Sequence, residues 1–136
     1  MTFDAPGAVC GTLPSGLNSE GAIIGQSFDA SCNGHGFVRA RNGSFAIFDP
    51  TGSTYTQPVA INPAGTITGS YLDAGAVFHG FLRAPDGTIT TFDIPGGSTV
   101  FAGGINPSET VVGYYIDASG VSPWLRKGQG RYYKHI

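Results

Sequence analysis

Hydrophobic and polar residues alternate along this chain in short runs, each cut off by Gly, Pro, Asn or Asp. In TITTFDI (88–94), Ile89, Thr91 and Asp93 fall on one side and Phe92 on the other, the period of two of a strand. TITGSYL (66–72) is β-branched and aromatic, and QPVAIN (57–62) and VFHGFLRA (77–84) are runs of similar length. NPAG, DAGA and PDG separate the four runs and supply the turns. Gly or Pro interrupts every candidate for helical periodicity, so essentially no helix is predicted.

This four-run unit recurs. Asn18, Asn62 and Asn106 are spaced 44 residues apart, as are Gly25, Gly69 and Gly113, and Asp29, Asp73 and Asp117. HGFVR (35–39) and HGFLR (79–83) align with SPWLR (122–126) after a slip of one residue, and Gly43, Gly87 and Gly130 each open a last strand. A fixed period of this length marks stacked supersecondary units. The chain divides as one repeat domain, 1–136: a surplus strand at 1–7, then repeats at 8–50, 51–95 and 96–136. TFDAPG (2–7) matches TFDIPG (91–96) almost letter for letter, so a fourth-type strand stands in front of three complete units. The first run of each unit, TLPSGLN, QPVAIN or FAGGIN, is rich in small side chains and suits a crowded inner position.

The expected fold is all-β: three four-stranded antiparallel repeats of about 44 residues, read as β-propeller blades. Propellers close with about 4–8 blades. Three blades therefore predict a ring completed by oligomerisation, with a dimer giving six and an open head-to-tail polymer as the other outcome. A β-trefoil or a β-prism, each closing as a monomer, is the alternative.

INPAGTITGSYLDAGAVFHGFLRAPDGTITTFDIPGG (61–97) resembles the HAF-type extracellular repeats of bacteria, and LNSEGAIIGQSFDA and INPSETVVGYYIDA match more loosely. The resemblance covers most of the chain. It implies propeller-like repeats and a secreted or cell-surface location. It implies no catalytic residues. The third copy departs from it, with Ser122-Pro123-Trp124 in place of His-Gly-Phe.

Composition narrows the function. Only 12% of the residues are charged and the net charge is −2, so there is no basic footprint for nucleic acid and no polybasic membrane patch. No apolar run reaches the roughly 20 residues of a membrane span, and MTFDAPG has neither the basic nor the apolar region of a signal peptide. The two cysteines, Cys10 and Cys32, form a candidate disulfide suited to an extracytoplasmic home.

The repeated polar residues are read mainly as architecture. The asparagines suit the first position of a type I turn and the aspartates an Asx turn. His35 and His79 are expected to bond within their units. Arg39, Arg83 and Arg126 are expected to pair with the recurring aspartates Asp4, Asp49 and Asp93 on the last strands. Asn42-Gly43 reads as a hairpin turn. Candidate ligand or interface residues are Trp124, Tyr114, Tyr115, Tyr132 and Tyr133, which crowd the third copy, together with Arg83 and His79. Thr2, Phe3 and Asp4 form the candidate strand-exchange segment. No zinc-type spacing, phosphate loop or nucleophile constellation is present, and no cofactor or metal is expected. The expectation is a non-catalytic, exported, self-assembling module that binds a glycan or polymer. The alternatives are a structural strand-exchange protein forming a ring or filament, and an enzyme with a site at the ring axis.

Overall fold

The computed structural model describes residues 2–93, 97–117, 124–128 and 131–135, with side chains for 2–93 and 99–116. Its described residues contain strands and turns and no helix. The twelve strands fall into three antiparallel sheets, each in chain order. The first holds β1 (Gly11–Leu17), β2 (Ile23–Phe28), β3 (Gly34–Arg39) and β4 (Phe45–Phe48). The second holds β5 (Ser53–Ile61), β6 (Ile67–Asp73), β7 (Phe78–Arg83) and β8 (Ile89–Phe92). The third holds β9 (Gly97–Ile105), β10 (Val111–Asp117), β11 (Trp124–Gly128) and β12 (Arg131–His135). The four predicted runs of the second repeat are thus four strands. The first of them starts earlier than predicted, at Ser53, because the segment after Gly52 continues the pairing with β6 up to Asp73.

Two glycine positions of the repeat leave no room for a side chain. Gly25, Gly69 and Gly113 sit opposite Pro14, Pro58 and Ala102 across the first hairpin of each sheet. A methyl group on any of them would run into the carbonyl oxygen of Leu13, Gln57 or Phe101. Gly36 and Gly80, the middle of each His-Gly-Phe, lie under the rings of Phe48 and Phe92 on the neighbouring last strand. The prolines sit beside register shifts in β1 and β5, where a missing N–H does least harm to the ladder.

The sheets stack in sequence, the first on the second through β5 and the second on the third through β9. Between the first two lies a core of Ile24, Phe48, Ile67, Tyr71 and Phe81. Between the second and third lies Phe92, Val100, Ala102, Val111 and Tyr115. The first strands of successive sheets touch, as their small side chains suggest. The described strands form no closed barrel or ring.

Candidate functional site

The Asn series shapes turns and also links sheets. In the turn between the first two strands of each sheet the Asn carbonyl accepts from the residue three positions on: Gly21, Gly65 or Glu109. Its side-chain oxygen accepts from the backbone N–H four positions on, at Ala22, Thr66 and Thr110. The side-chain nitrogen is then free to reach sideways. Asn18 donates to the Asn62 carbonyl at 3.0 Å, and Asn62 donates to the Asn106 carbonyl at 3.1 Å. Asn18 and Asn62 are buried by the sheet that follows them, whereas Asn106 is exposed. Gln26 Nε2 likewise donates to the Thr56 carbonyl, and Ser70 Oγ, one repeat later, accepts from the Ala102 N–H.

The aspartates and histidines form a cluster in each of the first two repeats. Asp29 Oδ1 accepts from the Ser31 and Asn33 N–H groups, so it is the Asx cap of its turn. Its Oδ2 meets His35 Nε2 at 2.8 Å, and His35 Nδ1 meets Asp49 at 2.7 Å. The second repeat copies this: Asp73 caps Gly75 and Val77 and holds His79 Nε2 at 2.6 Å, while Asp93 holds His79 Nδ1. Hydrogen bonds to Asp29 and then Asp49 raise the His35 pKa above its ordinary value. Burial pulls His79 down, yet Asp73 and Asp93 together outweigh it and leave its pKa raised. The bonds from His35 and His79 are the leading causes that lower Asp29 and Asp73. Both nitrogens of each ring face carboxylates, which favours the imidazolium and leaves no free nitrogen to act as a base.

Among the described residues, the Arg–Asp pairs expected from the sequence do not form. Asp49 and Asp93 are taken by the histidines, and the arginines stack on aromatic rings: Arg39 over Phe3 and Phe45, Arg83 over Phe48. The reason is hairpin register. Gly36 faces Phe48 and Arg39 faces Phe45, so the same ladder carried one step further sets His35 beside Asp49. The second repeat has Gly80 opposite Phe92 and Arg83 opposite Ile89, which sets His79 beside Asp93. This signal was present in the sequence as equal distances from the Asn42-Gly43 and Asp86-Gly87 turns.

Arg83 also borders a cleft of 280 Å³ between the first two sheets, walled by Val38, Phe45, Ala46, Ile61 and Pro85. Its Nε is buried without a hydrogen-bond partner, and burial lowers its pKa despite nearby Asp86.

Of the aromatics in the third copy, Tyr115 is buried in the core and Tyr114 is 46% exposed. Tyr114 stacks on Phe101, whose ring lies 5.0 Å from that of Phe78. The side chains of Trp124, Tyr132 and Tyr133 lie outside the described residues, as do Asp117, Ser122 and Arg126. Cys10 and Cys32 are joined by a disulfide that ties the entry of β1 to the turn after β2. Thr2, Phe3 and Asp4 belong to no sheet, but Phe3 packs edge-on against Phe37 at 6.1 Å and tilted against Phe45 at 5.8 Å. Phe48 holds the same relation to Phe81, at 5.9 Å. The spare segment thus occupies, on the first sheet, the place that a preceding last strand would take.

The described residues hold no group of three or more His, Cys, Asp or Glu able to bind a metal, and no helix long and apolar enough to cross a membrane. No family model, no curated protein and no solved structure matches this chain.

Proposed function

We propose that this chain is a non-catalytic, exported building block of β-propeller type, whose role is to associate with further copies of itself through open sheet faces. One observation carries the reading. Val112 and Tyr114 are 42% and 46% exposed on the third sheet, whereas the residues 44 and 88 positions earlier, Thr68 and Ile24, Ser70 and Gln26, are all buried by the next sheet. A face built to be covered is bare at the end of the stack. The non-catalytic reading is supported by the histidines, whose nitrogens are both committed to carboxylates. The disulfide supports an oxidising compartment, the location that the HAF-type repeat pattern also suggests.

Sedimentation velocity on the purified chain tests this. A discrete dimer, making six sheets, is the expected result, and a concentration-dependent polymer would move the reading to the filament form. A monomer at all concentrations would overturn it. A second reading, glycan binding, rests on the aromatic line Phe78–Phe101–Tyr114, since stacked rings with a polar tip suit sugar faces. A glycan array without hits would remove it.

A further inference from the structure

Self-association, taken as proposed above, leaves open which surfaces meet. The internal repetition decides this. The face of the first sheet that looks at the second carries Asn18, Ile24 and Gln26, and the corresponding face of the second sheet carries Asn62, Thr68 and Ser70. Each meets the opposite face of its successor, where Ile61 and Ile105 lie at the core margin and the Asn62 and Asn106 carbonyls accept the amides. Two halves of this contact are left unused in one copy. The third sheet has the donor half: Asn106, Val112 and Tyr114, all exposed. The first sheet has the acceptor half. Leu17, one repeat before Ile61, is 74% exposed, and the Asn18 carbonyl accepts only from Gly21 among the described residues.

We infer that the two halves mate between copies. The third sheet of one copy docks on the first sheet of a second copy, so that Val112 covers Leu17 of the partner subunit and the Asn106 amide donates to the carbonyl of the partner's Asn18. This repeats the relation of Ile24 to Ile61 and of Asn18 to Asn62. The occupant is a second copy because the interface is the continuation of two interfaces already built into the chain, with the same Asn donor and Asn carbonyl acceptor and with Val112 and Leu17 at the places of Ile24 and Ile61. Phe3 does not obstruct the contact at β1: it lies over Phe37 and Phe45 toward the outer strands, while Leu13 and Leu17 on β1 stay bare. At the outer edge residues 2–5 hold the place of a preceding last strand, which the incoming β12 takes over when the third sheet docks. Two such docking steps close a symmetric dimer.

The experiment is a charge-pair rescue followed by sedimentation. Val112→Arg and Leu17→Glu are made singly and together in the whole chain, with Ser31→Arg, on an exposed turn, as the control. All three mutated positions are exposed in a single copy, so circular dichroism is expected to match the parent. Each single substitution is expected to weaken association at least about 100-fold in Kd, the double to recover at least about tenfold, and the control to change nothing. If the parent associates and neither single substitution weakens it, this docking mode is wrong while self-association stands. If the parent is a monomer up to about 100 µM, both fall.

Discussion

The side-chain amide of Asn18 donates to the main-chain carbonyl of Asn62 at 3.0 Å, and Asn62 does the same to Asn106. One side chain thus closes its own turn and holds the next sheet. Asn62→Ala removes a buried amide, strands the Thr66 N–H and takes one of its two hydrogen bonds from the Asn106 carbonyl, so it is expected to lower stability by about 2–4 kcal/mol. Asn106→Ala, at an exposed position, is expected to lower the stability of a single copy by about 1 kcal/mol or less. Urea unfolding of both variants checks the contrast, and equal losses would contradict it.

The Asp–His–Asp clusters make stability depend on pH from both sides. His35 and His79 bind protons more tightly when folded, so their contribution is complete below the unfolded value of about 6.5 and fades as pH rises through the raised folded values. Asp29 and Asp73 release protons more readily when folded, so theirs is complete above the ordinary carboxylate range and fades as pH falls through the lowered folded values. The melting temperature is expected to peak between these limits. In the His35→Asn, His79→Asn double variant the loss on the alkaline side should flatten. A parent-like alkaline limb in that variant would show that the clusters contribute nothing.

Gly69→Ala is expected to be among the most damaging single-methyl changes in the chain. The added carbon meets a backbone oxygen and the Phe81 ring, neither of which can yield without breaking the pairing of Pro58 with Gly69. A loss of about 3 kcal/mol or more, or failure to fold, is expected. A loss below about 1 kcal/mol would mean that β5 and β6 separate easily.

Ala76 stands at φ 62° in the turn between β6 and β7, a conformation in which a Cβ is unfavourable. The position is exposed and no side-chain contact is lost on replacement. Ala76→Gly is expected to raise stability by about 0.5–1 kcal/mol, the strain relieved less the added unfolded-state freedom. Thermal unfolding that shows a decrease would contradict the strain.

Phe3→Ala uncovers Phe37, which Phe3 and Phe45 screen together. A loss of about 1–2 kcal/mol is expected, against about 3–5 kcal/mol for Phe48→Ala, whose ring is buried between sheets. Deleting residues 2–6 should match Phe3→Ala in stability and, by vacating the place of the incoming β12, strengthen self-association. Unfolding and sedimentation on the same samples separate the two effects.

Much of this protein is legible along the chain because its repeats are local. Alternation, turn residues and the 44-residue spacing of Asn62, Gly69 and Asp73 with their counterparts are enough to place four strands per unit, since a hairpin is decided by residues close in sequence. The turn role of Asn62 and the Asx role of Asp73 follow for the same reason. The partners of long side chains did not follow. Arg83 was expected on Asp93 but lies over Phe48, because the sheet register carries Asp93 to His79 and the stacking of sheets brings a ring from the preceding repeat.

By itself, then, the sequence determined the strands, the turns and the repetition, which short-range sterics and hydrogen bonding control. Only the tertiary structure decided that Asn18 and Asn62 bridge sheets, that Tyr115 is buried while adjacent Tyr114 is not, and that Phe3 screens the first sheet. These depend on which sheet lies across each face. That is set by burying apolar surface between units 44 residues apart, a distance over which no local pattern specifies a contact.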